Sequence, residues 1–309
     1  MSALSQAASD YLRLRQALGY KLVEANRLLP GFVAYLDAAE TPTVTVEAAL
    51  AWSTQANPGT TMASLRMMIV RGFARHMAGI DPATEVPPLG LLPSRQRWRP
   101  PFVYAPADID ALMRQARLCL HPPRLAATIE TVIGLLAVTG MRIGEVINLD
   151  RSDVDLTAGV VLVRESKFTK SRNVPLHEST TAVLRDYADR RDREHPQSVT
   201  VSFFLTATGK RLNHTVVERI FRILCENTGI GVGARRSPRL HDLRHTFAVA
   251  TLVHWYRTGQ DATARMPMLS TYLGHHDPRS TYWYLSAAPE LLALAADRLE
   301  PNAAGEVTP

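Results

Sequence analysis

Residues 241–248 read His241-Asp242-Leu243-Arg244-His245-Thr246-Phe247-Ala248, and after them come Leu273-Gly274-His275 and then Tyr284. Three imidazoles, a guanidinium and a phenol thus gather in the last quarter of the chain. On a helix, His241 and Arg244, three residues apart, project from the same side. Arg142, within Thr139-Gly140-Met141-Arg142-Ile143-Gly144-Glu145, can supply a second guanidinium. Such groups suit binding a phosphodiester, attacking it with a phenolate and stabilising the charge that develops. The four-residue step from His241 to His245 raises a zinc alternative. A zinc-protease helix, however, needs glutamate directly after its first histidine, where this chain has Asp242, and Arg244 would set a positive charge beside the ion. We therefore expect no metal here.

Charge agrees with an acidic partner. The formal net charge is +6 over 309 residues, and nucleic acid is the simplest complement. Nearly all of the positive charge is arginine; the only lysines are Lys21, Lys167, Lys170 and Lys210. Arginine forks onto phosphate but does not release a proton near neutral pH, so proton donation falls to the few lysines. The length allows two domains, each with its own core. Two cysteines fall short of a disulfide framework. No apolar run reaches membrane-spanning length, and Met1 to Tyr11 lacks the basic-then-apolar order of a signal peptide. A cytoplasmic protein without a membrane partner is the expectation.

The apolar pattern is mainly helical. Leu12, Leu14, Leu22, Val23, Leu28 and Leu29, then Phe32, Val33, Tyr35 and Leu36, recur at roughly helical spacing, with Pro30-Gly31 expected to kink or divide the second segment. Val46 to Trp52 reads as a short helix capped by Thr45. Thr60-Thr61 opens a fourth, whose Arg66, Arg71 and Arg75 alternate with Leu65, Met68, Ile69, Val70 and Phe73. Such an arginine-bearing face could lie on a phosphate backbone or simply be solvated. Pro87-Pro88 to Pro100-Pro101 reads as a semi-extended linker made basic by Arg95, Arg97 and Arg99. Beyond it, helices are expected from Ala105-Pro106-Ala107-Asp108, over Leu125–Val138 and from Arg142 to Leu149. Val160–Val163 and Asn173–Leu176 then form a small hairpin. The remainder is helical over 180–190, 215–227, 241–256, 268–273 and 289–299. The fold class is mainly α, or α+β: a helical N-terminal bundle over 1–86, a linker over 87–102, and a mostly helical domain with a small antiparallel sheet over 103–309.

Taken singly, each chemical signal has an ordinary structural counterpart. An arginine after a glycine is often paired locally, here with Glu145. Lys167 lies in the hairpin Glu165-Ser166-Lys167-Phe168-Thr169-Lys170-Ser171-Arg172, where exposed lysines are common. Tyr272, Tyr282 and Tyr284 could all be packing aromatics. A phenol near pKa 10 becomes a useful nucleophile only where cations favour its phenolate.

Their order and joint presence resemble the tyrosine recombinase (phage integrase) family, in detail over about 103–290 and in outline before that. The resemblance implies an enzyme that cuts and rejoins double-stranded DNA through a 3′-phosphotyrosine, without metal or ATP. It makes Arg142 and Arg244 phosphate clamps and Lys167, rather than Lys170, the general acid. His241 assists proton transfer with Tyr284, and His275 bonds the phosphate. The family's nucleophile follows that last histidine by nine residues, which selects Tyr284 over Tyr282. Arg66, Arg71, Arg75, Arg95, Arg97 and Arg99 become candidate DNA contacts, and 1–86 a DNA-binding domain. A homotetramer on DNA, with or without partner recombinases, is implied, with residues 287–299 as a tail helix docking in cis or in trans. His245 is left as structural. The interval from Arg244 to His275 is longer than in typical members and points to a transposon-encoded branch. The alternatives are a type IB topoisomerase, a phosphodiesterase and a non-catalytic DNA-binding relative.

Overall fold

A computed structural model describes residues 2–55, 61–92, 101–164, 171–196, 200–275, 281, 282 and 284. The chain forms two compact units, Met1–Arg99 and Pro100–Pro309. The expected linker at 87–102 therefore straddles the division. Its first residues belong to the N-terminal unit, because Arg71 donates from Nε to the Pro87 carbonyl at 2.8 Å and from Nη2 to that of Pro88. Arg95, Arg97 and Arg99 lie outside the described residues, as do Lys167 and residues 287–299.

The N-terminal unit comprises α1 (Ala3–Ala17), α2 (Val23–Ala38), α3 (Val46–Thr54) and α4 (Thr61–Met77). Thr45 caps α3, its hydroxyl accepting from the Ala48 N–H at 3.1 Å. Pro30 does not divide α2, which runs through it. The reason is burial on both sides of the proline: Leu28, Leu29, Phe32, Val33 and Leu36 all enter one core. At about 1.5–3 kcal/mol per buried apolar side chain, that stripe outweighs the roughly 3 kcal/mol cost of a mid-helix proline. On α4 the buried stripe is Met67, Ile69, Val70, Phe73, Ala74 and Met77, whereas Met68, expected on the apolar side, is 63% exposed.

The C-terminal unit is built around α6 (Pro123–Thr139), whose Ile129, Val132, Ile133, Leu135 and Leu136 are buried. Against it pack α5 (Pro106–Cys119), α8 (Glu178–Glu194) and α10 (Leu240–Arg257). Asp108 caps α5 by accepting from the Ala105 N–H at 2.9 Å. The other helices are α7 (Ile143–Ile147), α9 (His214–Thr228) and α11 (Ala262–Leu273). The sheet is antiparallel, in the order β1 (Val154–Asp155), β2 (Val160–Val163), β3 (Arg172–Pro175). Val161 faces Val174 and Val163 faces Arg172, so alternation buries Val161, Val163 and Val174. At two residues, β1 is too short to leave a periodic signal, and it was not expected from the sequence.

The long interval between Arg244 and His275 is helical. It supplies most of α10 and all of α11, which begins six residues before the expected start and contains Pro267. Ala248, Val249, Leu252, Val253, Trp255, Ala262, Met266, Leu269 and Leu273 form an apolar cluster of their own, and Tyr284 packs into it.

Candidate active site

The site begins at a turn that only glycine fits. Gly140 ends α6 at φ +61°, and a Cβ there would lie 2.6 Å from Phe247 Cδ1. The turn delivers Arg142 to the N-terminus of α7. Glu145 accepts from the Arg142 N–H at 2.9 Å and from its Nη1 at 2.8 Å. The same carboxylate takes a two-pronged grip from Arg172 of β3, Nη1 to Oε1 at 3.0 Å and Nη2 to Oε2 at 2.8 Å. Burial pushes the Glu145 carboxyl up, but the hydrogen bonds and charge of Arg172, then those of Arg142, outweigh it and hold its pKa at about 2. Three guanidiniums converge here, and Arg142 and Arg172 share one carboxylate, so the corner carries excess positive charge.

The third guanidinium, Arg244, projects from the second turn of α10 and is 2% exposed. Its Nη1 donates to the Gly140 carbonyl at 2.8 Å and its Nη2 to that of Leu273 at 2.7 Å. Three arginines from different elements thus end on three consecutive carbonyls closing α11: Arg172 Nε on Tyr272 at 2.8 Å, Arg244 on Leu273, and Arg142 Nη2 on Gly274 at 3.0 Å. Helix C-termini carry partial negative charge and unpaired carbonyls, which explains how these cations gather without matching carboxylates. Burial, then the charge of Arg142, lowers the Arg244 pKa to about 10, so it stays protonated at neutral pH.

Immediately after this clasp comes His275, whose Nδ1 lies 2.6 Å from the buried Thr281 hydroxyl. Tyr284 is 1% exposed. Its hydroxyl lies 3.1 Å from His245 Nδ1, and its ring stacks beside His275 with centroids 6.1 Å apart. Burial pushes the phenol pKa up, opposed by the charge and hydrogen bond of Arg244 and by the charge of Arg142. His241 meets His245 edge-to-face at 4.8 Å. Desolvation, followed by nearby cations, lowers the imidazoles to about 4 for His241, 3 for His245 and 3 for His275. His241 is solvent-exposed, so for it the charges of Arg244, Arg239, Arg142 and Arg236 are the firmer reason. The shifts favour the neutral form of all three rings at neutral pH.

Five of the six expected catalytic residues are therefore described in one neighbourhood: Arg142, His241, Arg244, His275 and Tyr284. His245, set aside as structural, is the imidazole on the Tyr284 hydroxyl. Its helical step from His241 was visible, but its partner lies 39 residues on. Arg172 was also missed; its signal was a lone arginine at the foot of the Val174-Pro175 strand. Among the candidate DNA contacts, Arg66 donates to the Trp52 carbonyl at 3.3 Å and lies over the Trp52 ring, and Arg71 holds 87–88. Arg75 is exposed.

Known proteins resemble this chain in sequence and in fold. Residues 105–290 match the phage integrase family. The putative integrase/recombinase y4rB of Sinorhizobium fredii is 43% identical, covering 97% of this chain and 98% of its own length. Tyrosine recombinase XerC of Corynebacterium glutamicum is 32% identical over 56% of this chain and 51% of its own. Among solved structures, the Tn1549 transposon integrase in complex with transposon right end DNA aligns over 98% of this chain and all of that one, with TM-score 0.67 and 16% identity. The XerA recombinase aligns over 97% of this chain and 99% of that one, with TM-score 0.53 and 22% identity. At such identities the structural likenesses speak for the fold.

Proposed function

Because this chain belongs to the phage integrase family of tyrosine site-specific recombinases, we propose that it cleaves and rejoins double-stranded DNA through a covalent 3′-phosphotyrosine on Tyr284. The observation that carries this reading is the position of the Tyr284 hydroxyl, at His245 and Arg244 beside Arg142. Arg142 and Arg244 bind the nonbridging oxygens of the scissile phosphate and stabilise the charge of the pentacoordinate transition state. Tyr284 attacks phosphorus. Lys167 protonates the departing 5′ oxygen, a role that rests on its sequence position alone. His275, steadied by Thr281, bonds the phosphate, and His241 borders the proton path. The phosphotyrosyl link conserves the energy of the phosphodiester, so a 5′-hydroxyl from another strand reverses the step without ATP or metal.

A tetramer on two DNA sites, in the cytoplasm, completes the proposal. The transposon integrase bound to transposon-end DNA and the long α10–α11 segment support a mobile-element substrate. A pool of nicked duplexes with randomised cores, selected for covalently trapped DNA, tests the reading. An adduct lost in Tyr284→Phe and kept in Tyr282→Phe is expected. DNA retention without any adduct would exclude the enzyme.

A further inference from the structure

We propose that His245 takes the Tyr284 proton during strand cleavage and returns it during rejoining, an inference that rests on Tyr284 being the nucleophile. The argument starts from donor chemistry. A guanidinium only donates, so the phenol oxygen accepts from Arg244 and its own hydrogen must find another acceptor. His245 Nδ1, 3.1 Å away, is that acceptor when the ring carries its hydrogen on Nε2. The other imidazoles are directed elsewhere. His275 spends Nδ1 on Thr281 and meets Tyr284 by ring stacking, and His241 touches the edge of His245 one ring farther out.

The proton balance closes. As the Tyr284 oxygen bonds phosphorus, its hydrogen moves to His245 Nδ1, the bond from phosphorus to the 5′ oxygen breaks, and Lys167 gives that oxygen a proton. In rejoining, the incoming 5′-hydroxyl returns its proton to Lys167, and Nδ1 reprotonates the departing phenolate. The charged and titratable groups facing His245 are His241 and Arg244 on α10, Arg239 at its start, Arg236 in the preceding loop, and Tyr284. After burial, these cations keep the resting imidazole neutral, with its pKa at about 3. A phosphate seated on Arg142 and Arg244 brings opposing negative charge, so the ring gains basicity when the substrate is in place.

The test is single-turnover trapping by the full chain on the selected nicked duplexes from pH 5.5 to 9. It compares wild type with His245→Asn, which keeps an acceptor that cannot take a proton, and His245→Phe, which keeps a ring. Both variants should form adduct about 100-fold more slowly at pH 7. Their rates should climb with pH, because hydroxide must now remove the phenolic proton, while wild type stays nearly flat. A 5′-phosphorothiolate leaving group, which needs no proton, should rescue Lys167→Ala and leave the His245 defect intact. Variant pH profiles parallel to wild type, at any rate, or rescue of the His245 variants by sulfur, would overturn the proposal. If neither variant folds, wild type alone decides: a rate rising about tenfold per pH unit assigns the proton to hydroxide and overturns it. Absence of a wild-type adduct at Tyr284 would instead refute the recombinase reading.

Discussion

The cationic half of the site and its nucleophilic half are held by different forces. Arg142, Arg172 and Arg244 are pinned by directional bonds to carbonyls 272–274, and two of them also by Glu145. Tyr284 rests in the apolar cluster of α10 and α11, with its polar tip at Arg244 and His245. A clamp gains from preorganised dipoles, because transition-state charge is then met without rearrangement. A nucleophile that must reach phosphorus and later leave it gains from non-directional packing. The two halves meet at Arg244, which donates to both.

Arg244→Ala should therefore damage both halves, and more than any other single change. We expect adduct formation to fall about a thousandfold. The carbonyls of Gly140 and Leu273 lose their donor, and at about 1–3 kcal/mol each the loss in stability should be roughly 3 kcal/mol. Trapping kinetics and denaturant unfolding measure the two effects separately; an inactive variant of unchanged stability would break the idea of a shared element.

Glu145→Gln should weaken the cationic half alone. The folded-state pKa of Glu145, about 2, lies below its ordinary 4.5. Its stabilisation is thus fully present above about pH 4.5 and is lost as pH falls toward 2. The shift corresponds to about 3 kcal/mol, so wild type should lose roughly that much between pH 5 and pH 2, while the variant loses little. Unfolding curves at several pH values that run parallel for the two proteins would refute this.

Gly140→Ala combines a left-handed backbone with a collision at Phe247, and moves the Arg244 acceptor. It should cost about 2 kcal/mol or more, read as a lower midpoint in thermal melts, with adduct formation slowed as well. Tolerance of alanine would mean the turn is not what positions Arg142. The smallest effect is expected in the N-terminal unit. Arg75→Ala on the exposed side of α4 should weaken DNA retention severalfold and reduce the salt slope by about one. By contrast, Arg66→Ala and Arg71→Ala should show mainly as lost stability of the N-terminal unit.

Most of this molecule could be read from local pattern. Apolar periodicity and caps located α3, α4, α5 and α6, and the Val160–Val163 run pairs with the following strand as expected. What failed was whatever depends on distant neighbours. Pro30 does not divide α2, because a core grips both flanks. The order Arg142, His241, Arg244, His275, Tyr284 is a one-dimensional motif and was legible. The partnership of His245 with Tyr284, and the three guanidiniums on one helix end, exist only after α7, β3, α10 and α11 converge.

The most direct test is to digest the trapped protein–DNA adduct and locate the modified residue by mass spectrometry. The account predicts a nucleotide 3′-phosphate on the peptide carrying Tyr284, with fragment ions placing it on that phenol. A nucleotide on Tyr282 or Tyr272 would contradict it.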